Sequence, residues 1–223
     1  MEPGPSPGRT CRVTPMAKRS KSSKRWLAEH FSDEFVLRAQ REGRRSRAAY
    51  KLEEIDRRDQ LLGPGMVVLD LGAAPGGWAE YAGAQLAGRG RVLATDILEM
   101  EPLAGVEFLQ GDFTSDQVLA ELRRRLGAAP VDLVLSDMAP NISGEDDVDQ
   151  ARATYLAELA LDLARQVLRP GGDLLVKAFQ GAGYEPLVKA LRASFASVAV
   201  RKPKASRPRS REVYLLARNH RPG

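Results

Sequence analysis

A glycine-rich stretch near the first third of the chain has the composition of a cofactor-binding loop. Met66–Glu80 reads MVVLDLGAAPGGWAE, in which a short apolar run reaches Asp70 and is followed by Gly72, Gly76 and Gly77. The run of Val and Leu predicts a buried parallel strand, and glycines let the backbone turn sharply and approach a ligand. A helix beginning after the loop would direct unpaired N–H groups at an electron-rich ligand.

The spacing of the glycines separates the common ligands of such a loop. A dinucleotide fingerprint is G-x-G-x-x-G, whereas Gly72 is followed by glycine only at positions 76 and 77. A phosphate-binding P-loop would continue with Gly-Lys-Ser/Thr, but Trp78 follows Gly77. The spacing therefore favours S-adenosylmethionine, which has no phosphate. The loop alone is equally compatible with a tight strand–helix turn that binds nothing.

Acidic residues follow three further predicted strands. Asp96 ends the strand Arg91–Asp96, about 20 residues beyond the loop, where a Rossmann-like fold places a carboxylate that binds ribose hydroxyls. Asp112 follows the next strand and could accept a hydrogen bond from an adenine amino group, or equally serve as the N-cap of the following helix. Asp137 follows the fourth strand. Ligands of open α/β sheets gather beyond the carboxyl ends of the strands, so all three acids are candidate ligands of the cofactor.

Longer strings extend this pattern to most of the chain. DLGAAPGGW resembles the FtsJ family of RNA 2′-O-ribose methyltransferases, and SDMAPN (Ser136–Asn141), VKAFQG (Val176–Gly181) and SREVYL (Ser210–Leu215) resemble further motifs of that family in the same order. The similarity runs from about Lys18 to about Ala217. It implies a Rossmann-like class I S-adenosylmethionine-dependent methyltransferase fold, an α/β fold in which a mostly parallel seven-stranded sheet has helices on both faces.

The resemblance also implies a set of catalytic residues. Lys51, Asp137, Lys177 and Glu212 match the family's Lys-Asp-Lys-Glu tetrad, with Lys177 as proton acceptor. Lys177 ends the fifth predicted strand, and Glu212 begins a final strand that can run antiparallel and so start at the same sheet edge. Spacing alone gives Lys51 no role. The candidate cofactor-binding residues are Gly72, Pro75, Gly76, Gly77, Trp78, Asp96, Asp112 and Asp137.

Methylation of a ribose requires the 2′-hydroxyl to lose its proton as it attacks the sulfonium methyl group. A buried lysine accepts a proton only if its pKa falls from about 10.4 toward neutrality. Burial acts in that direction, whereas neighbouring carboxylates such as Asp137 and Glu212 act against it. Two roles stay open for Lys177: proton acceptor, which the resemblance favours, or a cation that stabilises the developing alkoxide. The loop after the fourth strand contains no aromatic residue of the kind that grips a planar base amine, which favours a hydroxyl acceptor.

The elements that must position these residues alternate along the chain. The predicted strands are Val67–Leu69, Arg91–Asp96, Val106–Leu109, Val131–Leu135, Asp173–Phe179, Ser197–Arg201 and Glu212–Ala217. The predicted helices include Ala48–Arg58, Pro75–Leu86, one ending at Leu126, one from about Val148 to Leu168 after an acidic flexible loop, and Tyr184–Phe195. Five alternating strand–helix units followed by a pair of strands form the methyltransferase variant of the doubly wound sheet.

Composition limits the remaining possibilities. A chain of 223 residues suits one well-buried domain. We expect a disordered extension over residues 1–17, a basic RNA-binding segment with helices over 18–60, the catalytic domain over 61–218 and a tail over 219–223. The single cysteine, Cys11, excludes an intrachain disulfide, and His30 and His220 lack partners at metal-ligand spacing, so no catalytic metal is expected. Without a long apolar run or a secretory signal, we expect a cytoplasmic protein, and a monomer.

The net charge of +5 and the pI of about 9.5 favour a polyanionic partner. Three basic segments, Lys18–Arg25, Arg41–Arg47 and Arg201–Arg211, are predicted to contact RNA phosphates, although charged runs are often only solvated. The resemblance implies a uridine ribose of large-subunit (23S) ribosomal RNA in an assembled or late-assembling subunit. The alternatives are a tRNA ribose 2′-O-methyltransferase, a non-catalytic RNA-binding assembly factor and, disfavoured by its missing fingerprint, an NAD-dependent oxidoreductase.

Overall fold

The computed structural model describes residues 33–141, 143–207 and 209–223. Over these ranges the helices are α1 (Glu34–Glu42), α2 (Ala48–Asp59), α3 (Gly77–Leu86), α4 (Asp116–Leu126), α5 (Asp146–Val167) and α6 (Tyr184–Ser194). The strands are β1 (Val67–Leu71), β2 (Arg91–Asp96), β3 (Val106–Gln110), β4 (Val131–Ser136), β5 (Leu168–Phe179), β6 (Phe195–Arg201) and β7 (Glu212–His220). The predicted extension over residues 1–17 and the basic segment Lys18–Arg25 lie outside the described residues.

The seven strands form one sheet in the order β3-β2-β1-β4-β5-β7-β6. Strands β1 to β5 are parallel, and β7 runs antiparallel to both β5 and β6. Ser136 at the end of β4 pairs with Leu71 of β1 and Val176 of β5, and Glu212 at the start of β7 pairs with Phe179. The carboxyl ends of three central strands and the start of β7 therefore meet at one sheet edge, which confirms the predicted fold class.

Both faces of the sheet are covered because the central strands are apolar on both sides. Val68 packs with α2 and α3 on one face, whereas Leu69 and Leu71 pack with α4, α5 and α6 on the other. This continuous burial is typical of a parallel strand with helices on both sides. A third, small cluster joins α1, α2 and the β6–β7 loop through Ala39, Tyr50 and Ala205.

Several predicted boundaries are wrong, and three of them have clear local reasons. Helix α3 begins at Gly77 and not at Pro75, because Gly76 has a φ of 108° and cannot continue a right-handed helix. Helix α5 begins at Asp146, inside the loop predicted to be flexible, since carboxylates in a first turn stabilise a helix N-terminus. Strand β5 begins at Leu168, before the Pro170–Gly172 segment, because an irregularity in its pairing with β4 takes up the additional residues.

The C-terminal strand is longer than predicted. β7 extends to His220, so the first two residues of the predicted tail belong to the sheet. The antiparallel pairing of His220 with Phe195 holds this end in place. Among the described residues, no helix is long and apolar enough to cross a membrane.

Candidate active site

The glycine loop leaves the end of β1 in a conformation that requires glycine at two positions. Gly72 and Gly76 have φ angles of 72° and 108°, which L-residues with a side chain rarely adopt. A Cβ at Gly72 would collide with the side chain of Met138, and a Cβ at Gly76 would lie 2.8 Å from a methyl carbon of Leu103. The loop is therefore fixed by backbone conformation and by close packing.

Asp96, at the end of β2, lies against this loop. Its Oδ2 atom accepts a hydrogen bond of 2.9 Å from the Ala74 N–H, and its Oδ1 atom accepts one of 2.8 Å from the Leu98 N–H. Ile97 and Leu98 expose 65% and 62% of their surface immediately beside it. Carboxylate oxygens keep further acceptor capacity, so this corner combines an acceptor for hydroxyl groups with an apolar surface.

Asp112 is not the N-cap of the helix that follows β3. It is exposed, and its Oδ1 atom accepts hydrogen bonds from the N–H and hydroxyl of Thr114 at 2.9 and 2.6 Å. Ser115 is the N-cap of α4, so the interpretation of Asp112 as that N-cap is wrong. The contact of Asp112 with a cofactor stays a prediction.

Two helix N-termini and the loop enclose a narrow cleft. Ser46 and Ala48 line it from the start of α2, and Gly77 and Trp78 line it from the start of α3, together with Gly72, Pro75 and Asp137. The Trp78 ring is buried; its Nε1–H donates to the Ala48 carbonyl at 2.8 Å, and its centroid lies 5.5 Å from that of Tyr214. The Trp78 ring is therefore packed inside the protein, and the contact of Trp78 with a cofactor stays a prediction.

The floor of the cleft carries a carboxyl group that the sequence analysis gave no role. Asp70 is 1% exposed, and its Oδ2 atom is buried without a hydrogen-bond partner among the described residues. Burial, with smaller contributions from the charges of Asp137 and Asp96, raises the pKa of Asp70 to about 8. Its sequence signal was the presence of an acid in the otherwise apolar strand VVLDL.

The structure brings the four tetrad residues together at the sheet edge beside this cleft. The Lys177 Nζ atom lies 2.6 Å from Asp137 Oδ1 and donates to the Asp137 carbonyl at 2.7 Å. The Lys51 Nζ atom, carried by α2, lies 2.9 Å from Glu212 Oε1. Lys177 and Glu212 are 3.9 Å apart, between Nζ and Oε2. Both lysines are buried, with 8% and 7% of their surfaces exposed.

Tyr214 links the two ion pairs and was missed by the sequence analysis. Its hydroxyl donates to Asp137 Oδ1 at 2.6 Å and accepts from Lys51 Nζ at 3.0 Å. Side chains two residues apart in a strand share a face, so its spacing from Glu212 could have indicated this position. Ser206, also missed, donates its hydroxyl to Glu212 Oε1 at 2.6 Å.

The charges of the cluster determine the ionisation of its acids. Burial raises the pKa of Asp137, but the charges of Lys177 and Lys51 outweigh it and hold that pKa below its ordinary value. The same balance, with Lys51 ahead of Lys177, lowers the pKa of Glu212. Burial and the charge of Asp137 raise the pKa of Tyr214 well above its ordinary value. At neutral pH the site therefore holds two carboxylates and a neutral phenol.

The two predicted basic segments that the structure describes contain two kinds of cation. Some are bound within the protein: Arg201 makes two contacts of 2.6 Å with the Asp59 carboxylate, and Arg45 donates to the Pro102 carbonyl at 2.7 Å. The others form no ion pair or side-chain hydrogen bond with another described residue. These are Arg41, Arg44, Lys204 and Arg207.

No group of three or more potential metal-ligating side chains occurs within residues 33–141, 143–207 and 209–223.

The chain is an α/β methyltransferase of the class I fold. This class is defined by the glycine loop, by the acids at and beyond the strand ends, and by the sheet order with an antiparallel β7.

Comparison with known proteins identifies the family. The sequence profile of the FtsJ-like methyltransferases matches residues 44–220. The chain is 60% identical over 204 residues to the Ribosomal RNA large subunit methyltransferase E of Methylobacillus flagellatus, covering 92% of this chain and 99% of the relative. It is 64% identical over 199 residues to the protein of the same name from Azoarcus sp., covering 89% and 97%.

A solved structure shows the same likeness. A crystal structure from Plasmodium falciparum, described as a ribosomal RNA methyltransferase, superposes with a TM-score of 0.71 at 30% identity, covering 79% of this chain and 98% of that one. The chain belongs to the FtsJ-like methyltransferase family. The resemblance seen in the sequence motifs is thereby confirmed, and the chain is an enzyme that transfers methyl groups.

Proposed function

We propose that this enzyme transfers a methyl group from S-adenosylmethionine to the ribose 2′-hydroxyl of a uridine in 23S ribosomal RNA, on the assembled or late-assembling large subunit. The observation that carries the proposal is the position of Lys177. Its amine is held 2.6 Å from the Asp137 carboxylate, which itself lines the cleft under the glycine loop. A methyl donor bound in this cleft would therefore lie beside the group that positions the Lys177 amine.

The residues around the cleft fit the proposed cofactor. Asp70 offers to an ammonium group a carboxyl oxygen that has no partner among the described residues, and the N-terminus of α3 offers N–H groups to a carboxylate. Gly72 and Gly77 bring their main chain to the wall of the cleft, and Asp96 with Ile97 and Leu98 suits a ribose and an adenine ring. Asp112, Gly76 and the backbone of Trp78 complete the proposed set. When bound, S-adenosylmethionine supplies an electrophilic methyl group on a sulfonium.

Lys177 is the proposed proton acceptor, a role that requires its amine to be neutral when the hydroxyl attacks. Asp137 contacts its amine through both a carboxylate oxygen and the main-chain carbonyl, which orients the amine and stabilises the ammonium ion that forms when it takes the proton. Lys51 is less suited to this role, since its ion-pair partner Glu212 is not among the residues that line the cleft, whereas Asp137, the partner of Lys177, is. Lys51 instead compensates the charge of Glu212. Holding the hydroxyl and the methyl group in line supplies much of the remaining acceleration.

The cations whose side chains have no partner among the described residues support an RNA substrate. Lys204 and Arg207 lie in the loop that precedes Glu212, and Arg41 and Arg44 lie at the end of α1 and just after it. The packing of Ala205 against Ala39 and Tyr50 joins these two segments. Phosphates bound along this surface would deliver a ribose to the tetrad. The relatives from Methylobacillus flagellatus and Azoarcus sp. carry the name Ribosomal RNA large subunit methyltransferase E, which supports the substrate and, with it, action in the cytoplasm.

The test is methyl transfer to three purified substrates. Labelled S-adenosylmethionine is supplied with large subunits from cells lacking this enzyme, with free 23S ribosomal RNA, or with bulk tRNA, and 2′-O-methyl groups are mapped. We expect label on one uridine, with the fastest transfer on the subunit. Transfer to tRNA alone would contradict the substrate assignment, and absence of transfer to all three would favour a non-catalytic assembly factor.

A further inference from the structure

The loop between β6 and β7 is basic at its surface but buried at its centre. Ala205 and Ser206 are 0% and 3% exposed, whereas Lys202 and Lys204 on the same loop are exposed. The Ser206 hydroxyl donates to Glu212 Oε1 at 2.6 Å. Because a buried serine hydroxyl has few other partners in reach, this bond fixes the side chain of Ser206 toward the tetrad.

The main chain of the loop is held so that Ser206 keeps this position. The Lys202 Nζ atom donates to the carbonyls of Ser210 and Glu212 at 2.6 and 2.5 Å, which closes the base of the loop. The Arg47 guanidinium donates to the Ala205 carbonyl, and the Ser206 N–H donates to the Pro203 carbonyl at 2.9 Å. Neighbouring residues on both sides of Ser206 are thus anchored.

The two oxygens of Glu212 have different partners. Oε1 accepts from Ser206 and Lys51, at 2.6 and 2.9 Å, whereas Oε2 is the oxygen that faces Lys177 at 3.9 Å. The terminal torsion of a glutamate is broad, so a carboxylate held by one partner alone can rotate. Two donors that bind Oε1 from different elements restrict the rotation of the Glu212 carboxylate.

We propose that Ser206 is a positioning residue for methyl transfer, which holds the Glu212 carboxylate in the orientation that directs Oε2 at Lys177. The inference rests on the proposed function. The β6–β7 loop would then have two functions. Lys204 and Arg207 flank the buried serine, and their side chains have no partner among the described residues. The same short segment then orients the tetrad and meets the RNA.

The test compares Ser206→Ala with Ser206→Thr, which keeps a hydroxyl, and with Ser197→Ala at an exposed position of β6 as control. We expect S206A to lower kcat on large subunits about 10- to 100-fold, with KM for the subunit and Kd for S-adenosylmethionine within about twofold of wild type. S206T should recover most of kcat, and S197A should match wild type.

A double-mutant cycle with Glu212→Ala, which removes the acceptor of the Ser206 hydrogen bond, distinguishes positioning from a general structural effect. If Ser206 acts through Glu212, S206A adds nothing to the loss caused by E212A. A wild-type kcat in S206A, or a full additional loss on the E212A background, would overturn the inference while leaving the proposed function intact. Inactivity of the wild-type protein would instead remove the proposed function. If S206A fails to fold, Ser206→Cys, which keeps the volume and donates only weakly, takes its place with the same outcomes.

Discussion

Lys177 of β5 and Tyr214 of β7 are directly opposed across the antiparallel pair, and both bind the same carboxylate oxygen of Asp137. The amine lies 2.6 Å from that oxygen, and the phenol donates to it at 2.6 Å. Directly opposed residues of neighbouring strands lie side by side, so the register of β5 with β7 assembles the site. The geometry of the tetrad is therefore a property of the sheet.

Replacing Tyr214 by Phe tests the link between the two ion pairs. The ring would keep its packing against Trp78, but Asp137 and Lys51 would lose their shared hydroxyl. A hydrogen bond to a charged group contributes about 1.5–3 kcal/mol, so we expect kcat to fall about 10- to 100-fold. Single-turnover kinetics measure the rate, and circular dichroism checks the fold. A rate equal to wild type would show that the hydroxyl does not organise the site.

Charge removal at the β6–β7 loop should separate RNA binding from stability. We expect Lys204→Ala and Arg207→Ala each to weaken binding to large subunits and to lower the slope of log K against log salt by about 1, because each would remove one phosphate contact. Arg201→Ala is the matched control, since its guanidinium is occupied by Asp59.

The control should show the opposite result. R201A is expected to lower the melting temperature while changing the salt slope little, because its loss leaves the Asp59 carboxylate without its partner. Filter binding over a range of salt concentrations and thermal melts provide the two readouts. Equal salt slopes in K204A, R207A and wild type would contradict the placement of RNA on this loop.

Asp70→Asn should stabilise the protein while weakening cofactor binding. The pKa of Asp70 is about 8 in the folded protein, against 3.8 for an ordinary aspartate, so its contribution to stability is fully present below about pH 4 and is lost as pH rises toward 8. The variant has no such loss. The difference in melting temperature between D70N and wild type should therefore increase in favour of D70N from pH 5 to pH 8, by at least about 2–4 °C.

Calorimetry with S-adenosylmethionine completes this test. Loss of the carboxylate that would meet the ammonium group should raise Kd about tenfold or more. Asp147→Asn, at an exposed position in the first turn of α5, serves as control. A D70N protein with unchanged affinity, or with a pH profile of stability parallel to that of wild type, would contradict the role given to Asp70.

The strands and the glycine loop could be predicted from the sequence because their signals are local. An apolar run such as VVLDL and glycines at Gly72 and Gly76 report burial and backbone conformation directly. The four tetrad residues were predicted from the family resemblance. The positions of the strand ends then explain why Asp137, Lys177 and Glu212 lie close together. The starts of two helices were not predicted correctly, because the start of α5 depends on the carboxylates of its first turn, and the start of α3 at Gly77 depends on the left-handed φ of Gly76.

Features that depend on tertiary contacts were not predictable. Ser206 reaches Glu212 through a loop of irregular path, and no periodicity reports its direction. Whether a cation is available to RNA also depends on distant residues, as the pairing of Arg201 with Asp59 shows. Asp70 Oδ2 is buried without a hydrogen-bond partner among the described residues only because the N-terminal ends of α2 and α3 pack over the cleft.

The most direct test of the central claim is single-turnover methyl transfer by Lys177→Met, which keeps the apolar stem and removes the amine. Large subunits lacking the modification and labelled S-adenosylmethionine are the substrates, and Lys189→Met, at an exposed position of α6, is the control. We predict a rate at least about 100-fold below wild type, with Kd for S-adenosylmethionine within about twofold and K189M unchanged. A K177M enzyme that methylates the uridine ribose at the wild-type rate would contradict the account.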